Sequence, residues 1–245
     1  MARVLTPDAY LRAVQTGALE NWPALPFWEE VSQLDSRLSA LMGDTDTTAV
    51  RSAFVSQFVV SVARIARSSV TSAMIRRGHS CESAETAWRT VDNPLVTSEL
   101  RREQSVIQSR IHLLAEIYFE AAVLLASRIA DSVVLDPERV THVRLLGDMH
   151  IRGAVALLYI DDQPAWVYKP RSLALDNLLS EIFALLGPRL GTVATPRHPQ
   201  SIEQDGYGLQ EYVRYSSPTP GPQRAAFYEQ FGVLTALSYA LRFNC

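Results

Sequence analysis

Residues 154–169 read AVALLYIDDQPAWVYK and contain two short apolar runs separated by polar residues. Residues 154–160 form a short apolar run with β-branched members, residues 161–164 are typical of a turn, and residues 165–168 form a second short run. Two such runs around a turn predict a β-hairpin, because β-branched and aromatic residues favour strands while Asp and Pro favour turns. The region after about residue 145 is therefore expected to contain a sheet.

Lys169, which ends the second run, is the single lysine among the 23 basic residues of the chain. A lysine is a compact charge on a flexible stem and suits one phosphate oxygen, whereas arginine presents a wide planar fork. Kinase-like folds place such a lysine at the inner end of a strand, where it contacts nucleotide phosphates. The alternative is a coding preference for arginine that left one lysine by chance.

The residues after Lys169 extend the pattern. Arg171 is a forked donor suited to phosphate or carboxylate, and Ser172 is a candidate cap of a helix predicted over residues 175–186. Glu181 lies in that helix and is a candidate ion-pair partner of Lys169, as in the lysine–glutamate pair of kinases. The alternatives are an exposed helix acid for Glu181 and a surface ion pair for Arg171.

A second motif, GDMHIRG, occupies residues 147–153. Asp148 and His150 are two residues apart and share a face if the segment is extended, so the pair is a candidate for proton transfer or for holding a phosphate. The alternative is an Asp that caps a turn beside a solvated His.

On both sides of the hairpin and its neighbouring motifs, apolar residues recur with helical spacing. It predicts helices over about 27–41, 48–77 and 97–130, and a last helix over about 223–241, with a further helix start at residues 6–8. Further strands are expected at residues 192–195 and 207–213. The expected fold is α+β: a helical extension (1–140), a kinase-like N-lobe with a β-hairpin and an antiparallel sheet (141–222), and a final helix (223–245).

Composition excludes several classes of protein. The net charge of −3 lacks the basic face that nucleic-acid binding needs. The two cysteines fit neither a zinc site nor a disulfide framework, so a reducing cytoplasmic setting is expected. The most apolar stretch, 111–130, contains Glu116, Glu120 and Arg128 and is typical of a buried helix, so no transmembrane segment is expected.

Three strings together resemble the dehydratase region of class II (LanM-type) lanthipeptide synthetases: Gly147 to Gly153, Val167 to Leu173 with its YKPRS core, and Gly206 to Val213. The resemblance covers about residues 140–242. It implies a lipid-kinase-like fold that uses ATP and Mg²⁺ to phosphorylate Ser and Thr of a ribosomal precursor peptide and then eliminates the phosphate. It implies that Lys169 contacts nucleotide phosphates, with Arg171 supporting them, and that Asp148 and His150 serve the elimination.

In that family the catalytic loop, the metal-binding Asn and Asp, and a zinc-containing cyclase follow the last helix. The chain ends at Cys245, so the expectation is the front part of such an enzyme, with no zinc site of its own and possibly a separate chain that supplies the second lobe and the cyclase. Two alternatives remain open: a non-catalytic module that binds a peptide or a partner, and the front half of a lipid or small-molecule kinase.

Overall fold

The structure, a computed structural model, describes residues 24, 27–42, 48–76, 105–150, 153–189, 198–214 and 221–240. The predicted helix start at residues 6–8 and the predicted strand at 192–195 lie outside these residues. The chain divides into two compact units, Met1–Pro164 and Ala165–Cys245.

Three long helices form the core of the first unit: α1 (Trp28–Met42), α2 (Thr48–Arg76) and α3 (Ser105–Ala130). Their apolar residues recur every three or four positions, so each helix buries one stripe against the others. Tyr118 of α3 lies at the centre, with Phe54 and Phe58 at ring distances of 6.2 and 5.4 Å. Its hydroxyl is 2.8 Å from Ser61 Oγ, which satisfies the polar end of a buried ring. The predictions of these three helices are confirmed for the described residues, whereas residues 77 and 97–104 of the predicted ranges lie outside them.

Helix α2 is long and carries few charged residues over most of its length. By length and composition alone, the segment Thr48–Ala73 would also be able to cross a membrane. One face nevertheless packs in the helical core, where Val50, Phe54, Phe58, Val62 and Val70 are buried. The core helix of a soluble protein passes the same test of length and composition, so this helix is weak evidence for a membrane span.

Five strands form an antiparallel sheet in the order β1-β2-β3-β5-β4. They are β1 (Val140–His150), β2 (Gly153–Ile160), β3 (Gln163–Lys169), β4 (Ser201–Gln204) and β5 (Tyr207–Glu211). The β2–β3 hairpin and the strand that begins at Tyr207 are confirmed. Strands β1 and β4 were not predicted, because charged and polar residues interrupt their apolar pattern.

The hairpin between β2 and β3 turns on two residues, Asp161 and Asp162, with φ of 50° and 64°. Positive φ at both central residues is the geometry of a tight hairpin turn, and Asp tolerates it better than most residues. The Asp162 amide donates to Thr141 Oγ1 at 2.9 Å, and Arg139 pairs with the Asp161 carboxylate. Because the turn is this tight, β3 begins at Gln163, two residues before the predicted start.

The second unit holds most of β3, then α4 (Ala174–Leu186), β4, β5 and α5 (Pro222–Ala240). Strand β5 lies between β3 and β4, with Lys169 opposite Gly208 and Ile202 opposite Leu209. Both predicted helices are confirmed here. Together the two units have the expected α+β composition, helices first and the sheet and a last helix afterwards.

Helix α5 exposes several large apolar side chains. Phe227, Tyr228 and Phe231 are about half exposed or more, and the rings of Phe227 and Phe231 stack with centroids 6.3 Å apart. These rings form an exposed apolar surface on α5.

Candidate functional site

Lys169 is the last residue of β3, the position at which the sequence predicts it. Its side chain is only 20% exposed, and its Nζ lies 3.2 Å from Asp176 Oδ1. Asp176 is in the first turn of α4 and is equally well shielded, at 16% exposure. The ammonium group is therefore held in place by a carboxylate that water reaches poorly.

Arg171 shares the same carboxylate. Its Nη1 lies 2.9 Å from Asp176 Oδ2 and donates to the Ser172 carbonyl at the same distance, while half of its side chain is exposed. Gln210 of β5 adds a longer contact, with Nε2 at 3.5 Å from Asp176 Oδ1. The four residues, which we call the Lys169 cluster, carry two positive charges and one negative charge.

The electrostatics keep Asp176 ionised. Burial raises the pKa of its carboxyl group, but hydrogen bonds from Arg171 and Lys169, together with their charges, outweigh burial and leave the pKa below its ordinary value of 3.8. The cluster therefore has a formal charge of +1 at neutral pH. A net cation with one well-ordered ammonium and one exposed guanidinium is suited to a phosphate group.

The loop between β3 and α4 is shaped by close packing. Leu173 is completely buried and covers Gly208, where an added Cβ would lie 2.2 Å from Leu173 Cγ. Only glycine leaves room for this approach. Ser172 Oγ accepts a hydrogen bond from the Ala174 amide at 3.1 Å and donates to the Glu203 carboxylate. The N-cap residue of α4 is nevertheless Leu173, without a side-chain cap, so the prediction of Ser172 as the cap is wrong by one position.

Glu181 does not occupy the place that the sequence predicts for it. It is exposed, and the structure sets Asp176 beside Lys169 instead. Glu181 follows Asp176 by five residues, which is roughly 140° around an α-helix, so the two side chains point in different directions. The signal for Asp176 was present: an acid in the first turn of a helix, close in sequence to two basic residues.

Asp148 and His150 lie in strand β1, near its carboxyl end. The extended backbone there is the condition under which residues two apart share a face. Gly147, with φ of 80°, and an irregular register between Leu146 and His150 interrupt the regular ladder at this point. The side chains of Asp148 and His150 are outside the described part of the structure, so their role stays a prediction.

The residues that the structure describes contain no set of side chains that could bind a metal ion. No three His, Cys, Asp or Glu residues among them are close enough together to hold a metal ion. The Lys169 cluster offers an ammonium and a guanidinium group as donors, which suit an anionic ligand.

Comparison with known proteins gives one family. No curated protein matches the chain. The profile of DUF4135, a domain of unknown function, matches residues 104–244, which include α3, the whole sheet, the Lys169 cluster and α5. This match covers more than half of the 245 residues, and the chain therefore belongs to the DUF4135 family.

Proposed function

We propose that the chain is the front part of a lanthipeptide dehydratase, a cytoplasmic enzyme that uses ATP to phosphorylate Ser and Thr of a precursor peptide and then eliminates the phosphate. The observation that carries the proposal is the Lys169 cluster: one lysine at a strand end, ordered by Asp176 and flanked by the half-exposed Arg171. The YKPRS string around it supports the same family.

In this proposal Lys169 and Arg171 bind and orient the nucleotide phosphates. Phosphoryl transfer depends mostly on positioning and on neutralising charge, and two donors that share one carboxylate provide both. Asp176 keeps the ammonium group pointed at one place, so that little side-chain freedom is lost when a phosphate binds.

The elimination half-reaction requires removal of the α-proton of the phosphorylated residue and departure of phosphate from its β-carbon. We assign Asp148 and His150 to this step by their match to the family motif, since a carboxylate and an imidazole can accept and hold a proton. A cation near the leaving phosphate stabilises its charge. We propose that the metal ligands and the cyclase come from a further segment or from a separate chain.

Nucleotide binding by the 245-residue chain tests the proposal first. Titration of ATP and Mg²⁺ into the protein in a calorimeter should give saturable binding, and Lys169→Ala should weaken it at least about tenfold, the effect of losing a charge-assisted contact. Arg224→Ala is the matched control, because Arg224 is an exposed cation of α5 in the same unit. Equal affinities for the two variants would contradict the phosphate-binding role of Lys169.

Activity is tested in an assembly that also contains a catalytic lobe with the metal ligands of the proposed enzyme. Mass spectrometry of a precursor peptide should show loss of water from Ser and Thr with the natural chain and not with Lys169→Ala. His150→Ala should instead accumulate the phosphorylated peptide, because phosphorylation precedes elimination. Full dehydration by the Lys169 variant would exclude the proposal.

A second candidate function, a non-catalytic module that binds a peptide or a partner protein, is favoured by the exposed aromatic residues of α5. It predicts peptide binding that is unchanged in Lys169→Ala and lost in Phe231→Arg. Binding of ATP with the Lys169 dependence given above would favour the dehydratase instead.

A further inference from the structure

Glu203, an exposed acid of β4, lies in the same row of the sheet as Lys169. Gly208 of β5 pairs with Lys169 on one side and with Glu203 on the other. Directly paired residues of an antiparallel sheet direct their side chains to the same face. Glu203 and Lys169 therefore share one face of the sheet and are separated by a glycine, which has no side chain to fill the space between them.

The loop between β3 and α4 crosses that space. Leu173 is completely buried and packs on Gly208. The preceding residue, Ser172, donates its hydroxyl to the Glu203 carboxylate, and its Oγ also accepts the Ala174 amide at 3.1 Å. The loop is thus attached to the sheet at two adjacent residues, by an apolar contact at Leu173 and by a charge-assisted hydrogen bond at Ser172.

The orientation of Arg171 depends on this attachment. Its Nη1 lies 2.9 Å from the Ser172 carbonyl oxygen and 2.9 Å from Asp176 Oδ2. The guanidinium group is therefore held between the backbone of the residue that Glu203 binds and the acid that Lys169 contacts. A change at Glu203 reaches Arg171 through one intervening residue.

We propose that Glu203 is a positioning residue of the phosphate-binding site, which acts on Arg171 through Ser172. By holding the loop it keeps the guanidinium group on Asp176, beside Lys169 and ready to contact a phosphate. This inference rests on the proposed function, in which Lys169 and Arg171 bind nucleotide phosphates. A half-exposed arginine samples many rotamers in water, and ordering it in advance reduces the entropy that is lost when the ligand binds.

Two substitutions at Glu203 separate positioning from charge, with ATP and Mg²⁺ titrated into the full chain in a calorimeter. Glu203→Gln removes the charge but keeps an oxygen that accepts the Ser172 hydroxyl, whereas Glu203→Ala removes both. Glu203→Ala should bind ATP about three- to tenfold more weakly than Glu203→Gln, the usual effect of one hydrogen bond. The same two substitutions at Glu181, an exposed acid of α4, are the control and should bind ATP equally. Equal affinities of the two Glu203 variants would overturn the proposal.

Arg171→Ala distinguishes positioning from a general effect on the fold. In this background the difference between Glu203→Gln and Glu203→Ala should disappear, because the group that Glu203 positions is absent. It should likewise disappear in Ser172→Ala, which lacks the hydroxyl that Glu203 binds. A difference that persists in full in either background would overturn the proposal.

The contacts of the cluster can also be measured without nucleotide, because Lys169 is the single lysine of the chain. NMR of the full chain with ¹³C-labelled lysine gives one Cε signal, whose chemical shift reports the contact with Asp176. We expect Glu203→Ala to move this signal, because Arg171 is released from Asp176, and Glu203→Gln to leave it in place. An unmoved signal in Glu203→Ala would overturn the positioning role. A moved signal in a chain that binds no ATP would support the positioning of Arg171 and contradict the proposed function, so the two failures are distinguishable.

Discussion

At the scale of single residues, Asp176 is the position on which the candidate site depends. One carboxylate receives Lys169 on one oxygen and Arg171 on the other. Without the negative charge of Asp176, Lys169 and Arg171 would repel each other with no counter-charge between them, and each side chain would turn toward water. The sequence shows both basic residues directly, whereas the residue that joins them is visible only in the folded chain.

We expect Asp176→Asn to lower the free energy of unfolding by about 1–2 kcal/mol, because two partly shielded charge-assisted hydrogen bonds lose their ionic acceptor. Denaturant unfolding of the full chain at neutral pH measures this. Glu181→Gln is the control and should change stability by less than about 0.5 kcal/mol, since Glu181 is an exposed residue of the same helix. Equal losses for both variants would contradict the structural role of Asp176.

The difference in the free energy of unfolding between the natural chain and Asp176→Asn should depend on pH. The pKa of Asp176 is lower in the folded chain than its ordinary value of 3.8, so its contribution to stability is present above that value and is lost as the pH falls through the folded pKa. The stability difference between the natural chain and Asp176→Asn should therefore be constant near neutral pH and shrink in acid below about pH 4. A difference that grows in acid would show that this linkage is wrong.

Gly208 provides the second residue-scale prediction. Gly208→Ala would place a Cβ 2.2 Å from Leu173 Cγ and 2.3 Å from its Cδ1, so the loop that carries Arg171 has to shift. We expect a loss of about 1–3 kcal/mol, the usual cost of overpacking, measured by thermal or denaturant unfolding.

Gly232→Ala is the control, because an added Cβ has room at Gly232 and none at Gly208. Nothing lies within 4 Å of a Cβ at Gly232, which is in helix α5, so the alanine should stabilise that helix by up to about 1 kcal/mol. If Gly208→Ala were as well tolerated as Gly232→Ala, close packing of Leu173 on Gly208 would not be what shapes the loop.

At the scale of elements, the β2–β3 hairpin depends on its two-residue turn. Asp161 and Asp162 both adopt positive φ, a conformation that costs most residues free energy and glycine almost none. Asp162→Gly keeps the amide that donates to Thr141 Oγ1 and should raise the free energy of unfolding by about 0.5–1 kcal/mol.

Asp162→Val, measured by the same denaturant unfolding, should destabilise the chain, because a β-branched residue is poorly tolerated at positive φ. A neutral or stabilising effect of valine, or a destabilising effect of glycine, would mean that turn geometry does not limit the stability of the hairpin.

At the scale of the whole molecule, the exposed apolar face of α5 is expected to govern solubility. Phe231 is 56% exposed and stacks with Phe227, so these rings form part of an apolar patch that promotes association. Phe231→Arg should reduce concentration-dependent light scattering of the full chain. Glu229→Arg adds positive charge to another exposed position of the same helix and should not reproduce that reduction, because it leaves the rings in place. Equal improvement by both variants would attribute the effect to charge.

Much of the fold was predictable because its signals are local. The helices and the hairpin follow from spacings of three to four residues and of two residues, which the sequence carries directly. Strands β1 and β4 were missed because charged and polar residues break their alternation, and their pairing partners, β2 and β5, complete them. In the candidate site, Lys169 and Arg171 were identified from their residue types. Glu181 was predicted to be the ion-pair partner of Lys169, but that partner is Asp176.

Local sequence patterns were enough to predict the long helices, the hairpin with its turn, and the position of the single lysine at a strand end. The folded chain sets which acid meets Lys169, because the loop from β3 to α4, in which Leu173 packs on Gly208, brings Asp176 to 3.2 Å from the Lys169 ammonium group. It also decided that Glu30 is buried while its neighbour Glu29 is exposed. Local spacing sets which face of an element is apolar, but the partner that covers each position is set by residues distant in the chain.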